Sequence, residues 1–310
     1  MGASVSVLTD PVAILLIWVV LAPLLALGAG MVRARLAAWA AVGGAAVAFL
    51  LALRALGGMG REIRLPWAPS WGIEATLRFD GLAALYSLLA TGIGLTVLIY
   101  ASAYMPIHLH HEHKDEREGV RFWVLMTAFM AAMVWLATAQ DLLLLFVAWD
   151  VTAVASYFLI GFDSEKPAAR RAALMALFVT GVSAIGILIG AAMLWTRYGT
   201  VEIGLLAGLI QPGPATTAAL ALIAVGALAK SAQVPFHFWL PRAMAAPTPV
   251  SSYLHSAAMV AAGVYLLARV YPLLAAAPEV REALVVIGFL SMAVGGLLAL
   301  GADEFKRLLA

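Results

Sequence analysis

The sequence predicts an all-α, polytopic bundle of transmembrane helices. Of its 310 residues, 64% are hydrophobic and only 12% are charged. Several apolar runs exceed the roughly 20 residues that a helix needs to cross a hydrocarbon core. The formal net charge of +2 comes from lysines and arginines in short loops, which suits a membrane topology and gives no reason to expect nucleic acid. A soluble globular fold is therefore excluded.

The absence of cysteine limits the chemistry of the chain. Disulfides, thiolate catalysis and cysteine-held iron–sulfur clusters are excluded within it. If a redox reaction is involved, another subunit must perform it. We expect neither a cofactor nor a resident metal ion in this chain.

About nine segments are long and apolar enough to be membrane spans. The first is N-terminal, but it lacks a basic leading region and is followed by Arg33, Arg35 and a second apolar run, which favours a span over a signal peptide. In chain order the segments cover about residues 11–32, 36–56, 80–104, 121–139, 142–161, 170–195, 215–245, 250–271 and 282–302.

The seventh span is too long to be one straight helix. Pro235 and Pro241 remove backbone donors and clash with the preceding turn, which predicts two half-helices that meet near Ser231–Phe236. Broken backbone at membrane depth is tolerated only where protein or a water-filled cavity satisfies it, so this segment is a candidate ion path. The alternative is an ordinary proline kink, which transmembrane helices tolerate.

The basic residues predict the orientation. With nine spans, the loops richest in lysine and arginine share one side, which is then cytoplasmic and leaves the N-terminus outside and the C-terminus inside. The basic residues on that side are Arg33, Arg35, Lys114, Arg117, Arg121, Lys166, Arg170, Arg171, Lys306 and Arg307. The opposite loop between the second and third spans is expected at the membrane interface, and it contains Arg61, Arg64, Pro66, Trp67, Pro69, Trp71 and Arg78.

A histidine-rich segment lies between the third and fourth spans, with His108, His110, His111 and His113. Such a tract can bind a divalent ion, but neighbouring imidazoles without a fixed scaffold seldom converge on one metal centre. We interpret the segment as a solvated cytoplasmic hairpin and expect no metal site there.

Three ionisable residues inside spans carry the candidate chemistry, because a charge near the bilayer centre costs about 3 kcal/mol or more and usually serves ion or proton movement. Lys230 stands in the broken span, His255 in the eighth, and Asp150 about nine residues, or roughly 13 Å, into the fifth. A buried carboxylate and ammonium can pass a proton by changing partners, and a histidine can continue the relay. The alternative is a static ion pair with a hydrogen-bonded histidine. His237 and Arg242, close to the break, are peripheral candidates.

Three neighbouring stretches, Ala229–Pro241, Ala243–Ser251 and Tyr253–Val260, resemble the signature of the proton-conducting antiporter-like family. That family includes the A subunit of Mrp-type cation/proton antiporters and the antiporter-like membrane subunits of respiratory complex I. Residues 141–146, 149–150 and 156–162 are similar to its carboxylate helix. The resemblance covers about residues 70–310. It is closer to the Mrp A-subunit type in residues 171–181 and 235–241, although Mrp relatives often place a lysine where this chain has Ala261.

The resemblance implies a five-helix repeat, here spans four to eight, with a carboxylate on its second helix and a lysine on its broken fourth. Asp150 and Lys230 fall on these positions, although the family usually has glutamate at the first. Three regions follow: N-terminal helices with an external interfacial loop (1–110), the repeat (111–272) and the start of an incomplete second repeat (273–310). We expect the rest of that second repeat to be supplied by another polypeptide or to be lost by truncation.

These observations predict a multi-pass subunit of the cell's inner (plasma) membrane that moves protons through Asp150, Lys230 and His255. The subunit would work with other membrane subunits in a multisubunit monovalent cation/proton antiporter, with sodium as a candidate exchanged ion. One alternative is an antiporter-like subunit of complex I or a membrane-bound hydrogenase, which would serve an NADH:quinone oxidoreductase-type enzyme without being an enzyme alone. The other is a non-transporting scaffold left by truncation.

Overall fold

The computed structural model describes residues 10–68 and 73–310, most of them in long helices. In this described part, eight helical segments are long and apolar enough to cross a membrane, one of them the composite run Thr248–Ala276, and a ninth pass is built from two shorter pieces. The polytopic all-α prediction is confirmed. The helices are α1 (Pro11–Val32), α2 (Ala34–Ala55), α3 (Gly81–His111), α4 (Glu116–Thr138), α5 (Leu142–Ile160), α6 (Pro167–Tyr198), α7 (Ile203–Leu209), α8 (Pro214–Lys230), α9 (Trp239–Ala243), α10 (Thr248–Ser252), α11 (Met259–Val270), α12 (Pro278–Leu300) and α13 (Phe305–Leu309).

Short polar side chains fix where three of the central helices begin. Asp80, Asp115 and Asp141 precede α3, α4 and α5, and each carboxylate accepts a hydrogen bond from a backbone N–H in the first turn. Such caps satisfy donors that have no partner within the helix. Gly199, with a φ of 72°, ends α6 in the left-handed conformation that glycine adopts without a steric penalty.

A β-hairpin, which the sequence did not predict, lies between α2 and α3. Its strands are β1 (Glu62–Ala68) and β2 (Ile73–Arg78), which pair antiparallel with Glu62 opposite Arg78. Arg64 on β1 makes ion pairs with Glu62 at 2.7 Å and with Glu202 at 3.4 Å. We call this side of the bundle the hairpin end. Pro69 and Trp71, which the sequence places at the membrane interface, lie outside the described residues.

The histidine-rich segment at the opposite end is more ordered than a solvated hairpin, and that interpretation was wrong in part. Helix α3 continues to His111, beyond the end expected near residue 104. His108 Nε2 lies 3.2 Å from Asp163 Oδ1, and Lys114 Nζ lies 3.2 Å from the same oxygen and donates to the Phe162 carbonyl. Burial alone would raise the pKa of Asp163, but the hydrogen bonds and charges of His108 and Lys114 outweigh it and hold that pKa below its usual range.

The remaining histidines of the segment, His110, His111 and His113, are exposed. Within residues 10–68 and 73–310, no three side chains of the His, Cys, Asp or Glu type form a group that could hold a metal ion. Through His108 and Lys114, the segment connects the α3–α4 turn to the α5–α6 turn by hydrogen bonds and ion pairs.

An ion pair at the hairpin end ties α11 to the start of α3. Arg269, near the end of α11, is buried and contacts both carboxylate oxygens of Asp80. Its Nε donates to the Tyr265 hydroxyl at 2.9 Å, and that hydroxyl donates to the Ala137 carbonyl on α4 at 2.8 Å. Three helices are therefore joined at this end by one hydrogen-bonded cluster, which a buried ion pair needs in order to offset its desolvation.

Asp141, which lies just before the α5 span, makes stability depend on pH. Burial raises its pKa to about 6 from 3.8, despite hydrogen bonds from the Leu144 and Thr76 N–H groups. Because the folded chain then holds this proton more tightly than the unfolded chain, the contribution to stability is present below about pH 4 and is lost as the pH rises through about 6. The full effect is at most about 3 kcal/mol.

We expect Asp141→Asn to remove this pH dependence. The amide cannot ionise and accepts only one of the two hydrogen bonds, so absolute stability falls while the slope between pH 4 and pH 6 disappears. Thermal unfolding midpoints of both proteins in detergent across this range test the expectation. An equal slope in the variant would assign the pH dependence to other groups.

Candidate functional site

The seventh pass is broken directly after Lys230, as the sequence predicts. Helix α8 ends with the Gln233 N–H bonded to the Leu228 carbonyl at 2.9 Å and the Ala232 N–H bonded to the Ala229 carbonyl at 3.2 Å. This bond pattern is a Schellman motif, and Ala232 holds the left-handed position with a φ of 51°. A single 3₁₀ turn, Phe236–Phe238, then leads into α9. The alternative of an ordinary proline kink in a continuous helix is therefore excluded.

Helix α11 packs closely against the end of α8 and fixes the position of the break. Gly263 lies against the Ala227 carbonyl and the Ser231 hydroxyl, where an added Cβ would clash with both. The Ser231 hydroxyl donates to the Val260 carbonyl at 2.8 Å. The last turn of α8 is thereby held between α11 and the break.

The ammonium of Lys230 is fully buried and is held by neutral groups of α5. Its Nζ donates to the Trp149 carbonyl at 2.9 Å and to the Thr152 hydroxyl, and it lies 4.2 Å from the centre of a Trp149 ring. The Thr152 hydroxyl itself donates to the Trp149 carbonyl, so its lone pairs face the lysine. A carbonyl, a hydroxyl and an aromatic face together stabilise a buried cation.

Asp150 is half-buried on the same turn of α5 but does not contact the lysine. Among the described residues, no basic side chain lies within 4.0 Å of its carboxylate. On an α-helix it is rotated by about 100° from Trp149, so it leaves the helix on a different face. The static Asp150–Lys230 ion pair that the sequence left open is therefore not observed. The Lys230 ammonium instead contacts the backbone carbonyl of Trp149, the residue that precedes Asp150.

His255 lies in an irregular segment of the eighth pass that the sequence did not predict. Residues Tyr253–Ala258 form a π-helix between α10 and α11. Such wide turns are rare and occur often at functional sites. The His255 ring is buried, it meets the Trp239 ring edge-on at 6.1 Å, and neither ring nitrogen has a partner in the described part of the chain.

One cavity of about 380 Å³ joins the break to the π-helix. His255 and His237 both line it, and His237 Nδ1 is also without a hydrogen-bond partner among the described residues. Its other polar lining includes Ser231, Gln233 and Ser291. The volume and the polar lining suit several water molecules, each of which needs two to four polar partners.

The predicted site residues are therefore distributed over two connected places. Lys230, at the end of α8, contacts α5, and the backbone that follows the lysine opens into the cavity shared by His237 and His255. Trp239 links the two, because its indole donates to the Ala229 carbonyl while its ring meets His255. Asp150 belongs to neither place, and Arg242 lines a neighbouring groove instead of this cavity.

Sequence reasoning missed several residues that build the site. Thr152 and Trp149 hold the lysine, and their proximity to Asp150 is the signal that could have found them. Arg269 is a further buried charge, inside the predicted eighth span, and its partner Asp80 begins the third. An acidic residue at one span end and a basic residue at another could have suggested the pair.

Chemically, the arrangement suits proton movement. It combines a buried amine held by neutral acceptors, a carboxylate close by on the next residue of α5, and two imidazoles that share a polar cavity. Imidazole and amine groups both accept and release protons. The fold and this site define a polytopic membrane protein with a broken helix and an intramembrane charge series, features that are typical of ion-translocating proteins.

Comparison with protein families names the class. Residues 139–310 match the family described as "NADH:quinone oxidoreductase/Mrp antiporter, TM", and residues 67–118 match "NADH-Ubiquinone oxidoreductase (complex I), chain 5 N-terminus". The chain belongs to the NADH:quinone oxidoreductase/Mrp antiporter transmembrane family. The resemblance drawn from the sequence signature is confirmed.

Individual relatives come from both branches of the family. The chain is 40% identical to the A/B subunit of a probable K(+)/H(+) antiporter of Rhizobium meliloti, over 80% of this chain and 24% of the relative. It is 36% identical to the A subunit of a Na(+)/H(+) antiporter of Alkalihalophilus pseudofirmus, over 80% of this chain and 30% of the relative. It is 38% identical to the L subunit of the NADH-quinone oxidoreductase of Mycobacterium tuberculosis, over 79% of this chain and 38% of the relative.

A solved structure shares the fold. The chain matches a polypeptide of the Mrp complex from Dietzia sp. with a TM-score of 0.80 and 33% identity, covering 97% of this chain and 32% of that one. The chain thus spans between about a quarter and two fifths of the length of these relatives.

Proposed function

We propose that this chain carries protons as a membrane subunit of a multisubunit monovalent cation/proton antiporter. Lys230, Asp150 and His255 form the relay, and His237 contributes from the shared cavity. The exchanged cation is sodium or potassium, the ions in the names of two relatives. The five-helix unit that performs this work is residues 111–272.

One observation carries the proposal. The fully buried Lys230 ends a half-helix whose broken continuation opens on a cavity with two imidazoles. A buried ammonium held by neutral groups can lose its proton to a neighbour without leaving an unpaired carboxylate behind. Burying a charge inside a membrane is costly, so its presence favours a role in ion movement.

Purification in mild detergent, followed by transport assays, tests the proposal. The protein with its co-purifying subunits is reconstituted into liposomes, and a sodium or potassium gradient is imposed. We expect proton movement in the direction opposite to the cation, and small hydrophobic antiporter subunits among the co-purifying proteins. Liposomes that exchange no protons for either cation, with the subunits present, would contradict the proposal.

The second candidate function is proton pumping within a redox-driven complex such as complex I or a membrane-bound hydrogenase. The 38% identity to the L subunit of a NADH-quinone oxidoreductase supports it. The same relay would then serve an enzyme whose redox centres lie on other subunits. Co-purification of iron–sulfur and flavin subunits would favour this function over antiport.

We also propose that the chain lies in the plasma membrane with the hairpin end outside. The expected result is that a cysteine at Met59, which is exposed beside β1, reacts with an impermeant thiol reagent added to intact cells. A cysteine at His111, which is also exposed but lies at the opposite end, reacts only after the membrane is opened. The native chain has no cysteine, so each variant carries a single target. Labelling of His111→Cys in intact cells would reverse the orientation.

A further inference from the structure

A groove of about 870 Å³ lies at the end of the bundle opposite the hairpin, between the start of α6, α9 and α13. Three arginines line it, one from each of these elements: Arg171, Arg242 and Arg307. The groove adjoins the cavity that holds His255, and Pro241 and Arg307 line both. The proposed relay makes no use of its arginines.

The charges of the groove are poorly balanced. Arg307 has a carboxylate partner, Glu304, at 3.7 Å. Among the described residues, no carboxylate lies within 4.0 Å of Arg171 or Arg242. The guanidinium of Arg242 instead donates to the thioether sulfur of Met175 at 2.8 Å, although a thioether is a weak acceptor. The groove therefore offers two planar guanidinium groups to an anion, and such groups match phosphate oxygens.

The two free arginines flank one turn of α6. Arg171 and Met175 are four residues apart on the helix, so they lie on one face, and Arg242 reaches that face through Met175. From this turn an exposed apolar stripe continues along α6 into the span, formed by Leu174, Phe178, Val182, Ile185 and Ile189. Phe238 adds an exposed aromatic ring at the groove wall.

We propose that this groove binds an anionic phospholipid. Arg171 and Arg242 hold the phosphate, and the acyl chains follow the apolar stripe of α6. Position, charge and apolar surface agree with this ligand: basic pockets between transmembrane helices near the membrane surface bind anionic headgroups. Bound lipid would connect α6 to α9, the second half of the broken pass.

Native mass spectrometry of the assembled protein, released from nanodiscs with equal amounts of phosphatidylglycerol and phosphatidylcholine, tests the site. We expect the protein to retain phosphatidylglycerol preferentially. Arg171→Gln and Arg242→Gln should each reduce that retention about fivefold, and the double variant about 25-fold. The single variants keep the test decisive if the double variant is poorly folded.

Arg33→Gln with Arg117→Gln is the matched control. Both arginines are exposed at the same end of the bundle and have no carboxylate partner within 4.0 Å in the described chain, but they line no such groove. Retention of phosphatidylglycerol should be unchanged in this control. Equal losses in control and groove variants would overturn the site. Displacement of the lipid by excess inorganic phosphate would assign the groove to the free anion, and loss of a co-purifying subunit with unchanged lipid would assign it to a protein.

Discussion

Lys230→Met is expected to reduce ion-coupled transport by the assembled complex to the level of vesicles without protein. Methionine keeps most of the volume of the lysine stem, so packing against α5 persists. Removing the charge should ease membrane insertion by about 3 kcal/mol. It also removes the group that the Trp149 carbonyl and the Thr152 hydroxyl hold. Proton flux in proteoliposomes measures the loss, and membrane yield with a monodisperse elution profile measures folding.

Lys166→Met is the matched control for this prediction. Lys166 is a half-exposed lysine at the α5–α6 turn, where it pairs with Glu112 at 2.7 Å. An exposed pair contributes about 1 kcal/mol or less, so both transport and yield should stay near those of the native chain. Transport by Lys230→Met at the native rate would remove the lysine from the proton route.

Asp150→Asn and Asp150→Glu are expected to differ sharply. Asparagine keeps the size of the side chain but cannot ionise, so transport should fall as far as it does with alanine. Glutamate restores the residue that the family usually has and keeps the charge, so activity should persist. The same proteoliposome assay compares the three variants. Native activity in Asp150→Asn would show that this carboxylate takes no part in transport.

The double variant Asp150→Asn with Lys230→Met tests whether the two charges act on each other. Because each single change would already stop transport, the measurement is the thermal unfolding midpoint in detergent. If the two groups interact electrostatically, the double variant should lose less stability than the sum of the single losses, with a coupling of about 0.5 kcal/mol or more. Strict additivity would place the two groups in separate electrostatic environments.

Much of the fold could be predicted because membrane helices have a strong local signal. Each span is an uninterrupted apolar run, and the prolines after Lys230 mark the break within a few residues. The Schellman motif at the end of α8 could not be predicted from the sequence, because its left-handed position is occupied by Ala232, where glycine is usual. The hairpin was missed because its strands carry charged residues without a clean alternation.

The details of the site could not be predicted, because they depend on contacts between distant parts of the chain. Lys230 and Trp149 are 81 residues apart. No local pattern in the sequence indicates that the lysine contacts the Trp149 carbonyl and the Thr152 hydroxyl instead of the Asp150 carboxylate. The π-helix around His255 depends on how α10 and α11 meet their neighbours. The groove of arginines forms only where three elements converge. In the sequence, each of its arginines resembles an ordinary charged residue of a loop.

The ion pair between Arg269 and Asp80 has a mechanical consequence for the eighth pass. One end of α11 is fastened to α3 and α4 by this cluster, while the other end leads into the π-helix that carries His255. A helix that is held at one end and irregular at the other can move most at its irregular end. Displacement of His255 would then be absorbed within one wide turn, and the hairpin end would remain still. Any movement of the His255 imidazole relative to His237 or Trp239 would therefore leave the Arg269 end of α11 in place.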